Sequence, residues 1–187
     1  MSDKFKDKYR IQSSRLLNWD YSSNGYYFIT ICTKERKHFF GEIINNVMRL
    51  LKIGEIAQKY WLEIPKHFSF IELDEFVVMP NHIHGIVAIK NVFDIKCRDV
   101  INHVSTDNVK KNIYSKITPM NKHSLGKIIR WFKGRTTFEI RKTESKFSWQ
   151  SRFYDNIIRN EKSFCYIRKY IKENPMNWEE DRNNLSN

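Results

Sequence analysis

Two hydrophobic periods divide this chain. Residues 26–33, Tyr26-Tyr27-Phe28-Ile29-Thr30-Ile31-Cys32-Thr33, are almost all aromatic or β-branched and predict a first strand, central in its sheet. A charged loop follows, and Phe39-Phe40-Gly41-Glu42-Ile43 suggests a short extension. From 47 to 64 the apolar positions Leu50, Ile53, Ala57, Tyr60, Trp61 and Ile64 recur at three- and four-residue intervals. That spacing predicts a helix, with Asn46 as its cap and Pro65 at its end, and with Tyr60 and Trp61 in the core. The runs 70–79 and 83–90 read as a second and a third strand. Their connection, Pro80-Asn81, is so short that the two must be antiparallel neighbours.

Residues 91–122 lose all pattern and predict an insertion loop. Helical spacing returns from Ser124, the expected cap, to about Lys142, with Leu125, Ile128, Ile129 and Phe132 on one face and Lys127, Arg130 and Lys133 around the other. A fourth strand is expected over 152–159. A third helix should run from Glu161, capped by Asn160, to Asn174, where Pro175 stops it. Residues 1–24 form a polar leader with turn signals. The predicted order is strand, helix, strand, strand, helix, strand, helix. Its first six elements match an α+β, ferredoxin-like split β-α-β layout in a single domain spanning 1–187.

Composition narrows the class. The 33 Lys and Arg outnumber 21 Asp and Glu, for a formal charge of +12, which favours a polyanionic partner. No apolar run is long enough to span a membrane, and the first residues lack a signal-peptide core, so no membrane partner and a cytoplasmic location are expected. Cys32, Cys97 and Cys165 have no paired spacing and are expected to be free thiols in or near the core.

The chemistry centres on Pro80-Asn81-His82-Ile83-His84-Gly85. Two histidines two positions apart on a strand project from one face. Imidazoles so placed can share a metal ion if a third group arrives from elsewhere. In most chains such a pair simply packs or faces solvent, but the layout supplies the missing group. Two helices cover one sheet face and leave the other open, so the third helix can bring Tyr170 and Asn174 over the fork. Tyr170 is then the nucleophile and Asn174 an oxygen-donating metal ligand, with a divalent ion polarising a scissile phosphate. On the same helix Tyr166 is expected to be an amphipathic core residue.

With these segments in place, the chain resembles the single-tyrosine HUH transposases, most closely the REP-associated tyrosine transposases and their insertion-sequence relatives. The resemblance rests on Trp19-Asp20-Tyr21 ahead of Tyr27-Phe28-Ile29-Thr30-Ile31-Cys32, on Val78-Met79-Pro80-Asn81-His82-Ile83-His84-Gly85, on Ser124-Leu125-Gly126 with Phe132-Lys133, and on Tyr170-Ile171-Lys172-Glu173-Asn174-Pro175, in that order. It implies that His82, His84 and Asn174 hold Mg²⁺ or Mn²⁺. It also implies that Tyr170 cleaves and rejoins single-stranded, hairpin-bearing DNA through a 5′-phosphotyrosine. Lys127, Arg130 and Lys133 are the expected DNA contacts, and either a monomer or a homodimer fits. The alternative is a domesticated, non-catalytic module that binds structured DNA or RNA. Relaxases and replication initiators share the chemistry but usually carry additional domains, for which this chain has little room.

Overall fold

The computed structural model describes residues 19–90 and 124–184, together with β1 (Lys4–Phe5) and β2 (Lys8–Tyr9), which pair antiparallel within the expected leader. The 91–122 segment, expected to be an insertion loop, lies outside the described residues, as does Cys97.

The β-branched and aromatic runs form the central sheet. It comprises β3 (Gly25–Cys32), β6 (Ile71–Val78), β7 (His82–Ile89) and β8 (Tyr154–Ile158), in the spatial order β6-β7-β3-β8 with every neighbouring pair antiparallel. This is the order of a split β-α-β fold. Side-chain alternation divides the sheet into two faces. Tyr27, Ile29 and Ile31 of β3 and Ile83, Val87 and Ile89 of β7 point into the main core. There they meet Ala57, Tyr60 and Trp61 of α1 (Lys52–Leu62) and Leu125, Ile128, Ile129 and Phe132 of the later helix α3 (Leu125–Ile140). The opposite face carries Phe28, Ile86 and Ile158, covered by Phe164, Ile167 and Ile171 of α4 (Glu161–Glu173).

The helix expected over 47–64 divides in the structure. Asn45 and Asn46 both adopt positive φ, 52° and 62°, and form the turn of a hairpin between β4 (Gly41–Ile44) and β5 (Val47–Leu50). Two left-handed residues in a two-residue loop match the twist of paired strands, and asparagine tolerates that conformation. Asn46 is therefore a turn residue. α1 begins six residues later, at Lys52, after Leu51, whose side chain makes no cap hydrogen bond. Pro65 does not end a helix either; it sits in the first turn of the four-residue α2 (Ile64–His67), where its missing N–H costs nothing. At α3 the hydroxyl of Ser124 makes no cap hydrogen bond, whereas the Asn160 side chain accepts from the Ser163 N–H at 2.8 Å, as expected.

The Trp19-Asp20-Tyr21 segment is structural. The Trp19 indole donates to the Tyr27 hydroxyl at 3.2 Å, and that hydroxyl donates to the Ser23 carbonyl at 2.8 Å. Asp20 closes the turn by accepting from the Ser22 N–H at 2.9 Å, and the Tyr21 carbonyl accepts the first N–H of α3 at 2.9 Å. Two side chains depart from expectation on the surface: Tyr166 is 72% exposed, and Cys165 is exposed while Cys32 is buried. Both lie on the outer side of α4, whose narrow apolar stripe is filled by Phe164, Ile167 and Ile171.

Candidate metal and nucleophile site

The β6–β7 connection sets the fork. His82 and His84 are fully buried on the open face of β7, opposite Cys32 and Thr30 of β3. Ile83 between them points into the main core. Gly85 follows because nothing larger fits: a Cβ there would lie 2.3 Å from the Trp61 ring. The ring centroids of His82 and His84 are 4.4 Å apart, and Phe28 stacks on His84 at 5.2 Å.

Each imidazole is oriented through Nδ1. His84 Nδ1 is 2.8 Å from the Thr30 hydroxyl, and His82 Nδ1 is 2.8 Å from Asn81 Oδ1. The Asn81 amide is itself fixed, because its Nδ2 donates to the Arg36 carbonyl at 3.1 Å and to the Asn183 carbonyl at 2.8 Å. Its oxygen must therefore face His82 and accept the Nδ1 proton, which leaves the Nε2 lone pair of His82 directed into the site. That Nε2 is buried without a hydrogen-bond partner. Burial holds both rings in the neutral form: it pushes His84 down to about 4, and it pushes His82 well below the usual imidazole value, with the neighbouring His84 adding to the effect.

α4 supplies the next two groups. It is held on β7 and β6 mainly by apolar contact, since Val77, Phe28 and Ile86 meet Phe164, Ile167 and Ile171. An irregularity in β6 between Leu73 and Phe76 accompanies two ion pairs to this helix, Asp74–Arg168 at 2.9 Å and Glu75–Lys172 at 3.3 Å. The Tyr170 hydroxyl reaches 3.3 Å from His84 Nε2. Burial raises its pKa first, and the charge of Asp181 raises it further. Asn174, one turn on, is buried; its Nδ2 donates to Asp181 Oδ2 at 3.1 Å and its Oδ1 has no hydrogen-bond partner.

Asp181 is the residue that sequence reasoning missed. The chain beyond Pro175 turns back through a 3-10 segment at Trp178–Glu180 and lays the Trp178 ring against His82 at 6.1 Å. It then places Asp181 so that ligand atoms of His82, His84 and Asp181 all lie within 4.8 Å of one another. Asp181 also accepts the Asn183 N–H at 2.6 Å. Two imidazole nitrogens and a carboxylate so grouped could hold a metal ion, and the unpartnered amide oxygen of Asn174 belongs to the residue bonded to that carboxylate. The positioning role of Asn81 was missed as well, since Pro80-Asn81 reads as a strand break although it adjoins the histidines, and Asp181 sits in an acidic run, Glu179-Glu180-Asp181, with no periodicity to single it out.

The three expected DNA contacts lie elsewhere. α3 packs on the sheet face opposite the fork, with Arg130 exposed and Lys127 half-buried. Lys133 is turned inward: its ammonium donates to the Gln150 carbonyl and, at 3.3 Å, to that of Arg152, and burial lowers its pKa to about 8.

No protein-family model matches the chain. It is 39% identical over 172 residues to an uncharacterized protein of Haemophilus influenzae, covering 91% of each. Among solved structures it is similar to a REP-associated tyrosine transposase bound to a REP hairpin, with 17% identity, a TM-score of 0.58, and coverage of 90% of this chain and 74% of that one. A Deinococcus radiodurans structure described as a candidate transposase aligns at 13% identity and a TM-score of 0.43, over 87% of this chain and 96% of that one.

Proposed function

For a chain that belongs to the same family as its Haemophilus influenzae relative and has the fold of a REP-associated tyrosine transposase, we propose a metal-dependent, transposase-type DNA endonuclease and strand transferase. It acts on single-stranded, hairpin-bearing DNA. The observation that carries this reading is the Tyr170 hydroxyl at 3.3 Å from Nε2 of a buried, neutral His84, beside Asp181 and two unpartnered polar atoms. A core tyrosine has no use for such surroundings; a nucleophile does.

The Tyr170 oxygen attacks the scissile phosphorus and the bond to the 3′-oxygen breaks. The phosphoryl group remains on tyrosine as a 5′-phosphotyrosine, and the phenol proton ends, through solvent, on the departing 3′-hydroxyl. Attack by another 3′-hydroxyl reverses the step, re-forms a phosphodiester and restores the phenol. His82, His84, Asp181 and Asn174 would hold Mg²⁺ or Mn²⁺, which when bound supplies positive charge against the phosphate and the developing phenolate. Asn81 keeps the His82 imidazole in the tautomer that ligates, and Thr30 orients the His84 ring through Nδ1. Phe28 and α4 fix the phenol over the fork. On α3, Lys127 and Arg130 offer phosphate contacts to the paired stem, and Lys133 braces the segment that leads into β8.

A denaturing gel tests the reading. A pool of labelled single-stranded hairpins is incubated with the protein and Mn²⁺, Mg²⁺ or chelator. A covalent protein–DNA band that needs metal and disappears in Tyr170→Phe and His82→Ala is expected. A band that survives Tyr170→Phe would move the nucleophile, and binding of the pool without any band would favour the non-catalytic module.

A further inference from the structure

A second group of side chains lies beside the fork on the same face of the sheet. Thr30 and Cys32, the cross-strand partners of His84 and His82, border a cavity of about 310 Å³ whose walls include Arg36, Arg152, Tyr154 and Arg182. Three arginines line this small space, and none of its lining residues is acidic. Their placement is deliberate in two respects. Glu35 and Arg36 both adopt left-handed backbone, with φ of 56° and 51°, a conformation that side-chain-bearing residues rarely hold without local support. That turn directs the Arg36 guanidinium to the Asn183 side chain and, at 3.1 Å, to the Arg182 carbonyl. The Arg182 guanidinium in turn lies 5.5 Å above the centre of the Tyr154 ring, a cation–π arrangement.

The cavity and the nucleophile flank the fork from opposite sides. α4 packs on Val77 of β6, Ile86 of β7, Phe28 of β3 and Ile158 of β8, whereas the cavity opens beyond it, beside Thr30 and Cys32 at the end of β3 and Tyr154 at the start of β8. Neighbouring strands lie roughly 5 Å apart, so a polynucleotide that presents one phosphate to the fork carries its next nucleotide across β3 toward β8. The volume suits one small ligand and is too confined for a duplex. Guanidinium groups match phosphate, and an aromatic ring at the rim offers a stacking surface to an unpaired base.

We propose that this cavity is the subsite for the nucleotide adjoining the scissile phosphate of single-stranded DNA, with Arg36, Arg152 and Arg182 receiving its phosphate and Tyr154 stacking on its base. The proposal rests on the single-stranded DNA reading above. It adds residues and a position that the metal and tyrosine chemistry does not require.

Binding of a fluorescent single-stranded tetranucleotide pool to the full chain, followed by anisotropy at several salt concentrations, tests the subsite without depending on cleavage. The expected result is at least roughly tenfold weaker binding by Arg152→Gln/Arg182→Gln, with a salt slope shallower by about 1.4, or roughly 0.7 for each phosphate charge no longer neutralised. The charge-matched control Lys66→Gln/Lys146→Gln, at exposed positions outside the cavity, should stay close to wild type. Tyr154→Ala should weaken binding of the tetranucleotide but not of an abasic tetranucleotide. Equal loss in the arginine and lysine double variants would overturn the subsite, as would a wild-type protein with no measurable affinity for the probe. The adduct gel is scored separately. Arginine-dependent binding with no adduct would leave the subsite standing and refute the tyrosine chemistry.

Discussion

Replacing Asn81 separates what the site needs for metal from what the fold needs for stability. Asn81 is fully buried and serves three partners: it accepts from His82 Nδ1 at 2.8 Å and donates to the carbonyls of Asn183 at 2.8 Å and Arg36 at 3.1 Å. In Asn81→Ala all three hydrogen bonds disappear. Orphaned buried polar groups cost about 1–3 kcal/mol each, and a water entering the vacated space recovers part of that, so a drop of about 2–4 kcal/mol in folding stability is expected. His82 is also released from its tautomer, and metal affinity should fall about 10–100-fold. Asn81→Asp divides the two effects. Its carboxylate still accepts from His82 Nδ1 but can no longer donate to the two carbonyls, so stability drops while Mn²⁺ binds no more weakly than in wild type. Urea unfolding in chelator gives the stability term, and calorimetric Mn²⁺ titration of the folded proteins gives the affinity. An Asn81→Ala protein that binds Mn²⁺ like wild type would refute the tautomer's role, and so would an Asn81→Asp protein that loses affinity in step with it.

Three further outcomes are expected. Gly85→Ala drives a methyl group against the Trp61 ring, which is itself wedged between Phe76 and Phe132, and should lower the urea midpoint by the equivalent of about 1–3 kcal/mol; a change below ~0.5 kcal/mol would mean that the ring moves freely. His84 has a folded pKa of about 4 against an ordinary 6.5, so between these values the unfolded chain binds a proton that the native chain does not. In chelator its contribution is therefore complete above pH 6.5 and about 3 kcal/mol is lost as pH falls toward 4; thermal unfolding that is flat across this window would contradict the burial of a neutral ring. Tyr170→Phe should abolish the covalent adduct without weakening Mn²⁺ binding, because the phenol occupies the same His84 Nε2 that a cation would use; a tenfold loss of metal affinity would make the phenol a ligand instead.

How much of this was legible in the chain depended on whether the signal was local. The four sheet strands and the two long helices α3 and α4 follow from runs and periods that neighbouring residues carry, and Asn160 announces its helix through its own cap. The 47–64 segment failed because the apolar positions of β5 continue the helical spacing of α1 by coincidence. Only the paired left-handed conformation of Asn45 and Asn46, set by hairpin closure, reveals the break. The fork was legible because both histidines belong to one strand, and Tyr170 and Asn174 because they share a helix with a countable spacing. Asp181 was not. It reaches the fork through a turn after Pro175 that no periodic pattern describes, and its partners lie at Asn174 and Asn183 rather than in any motif. Tyr166 failed for the opposite reason: its spacing matches Tyr170, but the stripe that α4 buries is narrow, and a residue four positions earlier falls outside it.

The burial around the fork argues for a ligand more strongly than any single distance. Polar atoms withdrawn from water cost free energy unless they are paired, and here His82 Nε2 and Asn174 Oδ1 are both withdrawn and unpaired, on side chains that both border Asp181. Meanwhile Asn81 accepts from His82 Nδ1 and Asp181 accepts from the Asn174 NH₂, so the atoms left unpaired on these two side chains are acceptors. A site arranged for packing would have paired those atoms with donors, and the Asn174 amide, rotated, would offer Oδ1 a different neighbour only by placing its NH₂ in the cluster and abandoning the Asp181 carboxylate. On the proposed metal-binding reading, the arrangement trades stability of the fold for affinity toward a cation. That trade concentrates negative and lone-pair density at one point of a chain whose formal charge is +12, with arginines immediately across β3. On the same reading a phosphodiester would meet both requirements at once: its neighbouring phosphates would be drawn to the arginines, and its scissile phosphate would be the group held beneath Tyr170 by a cation in the fork.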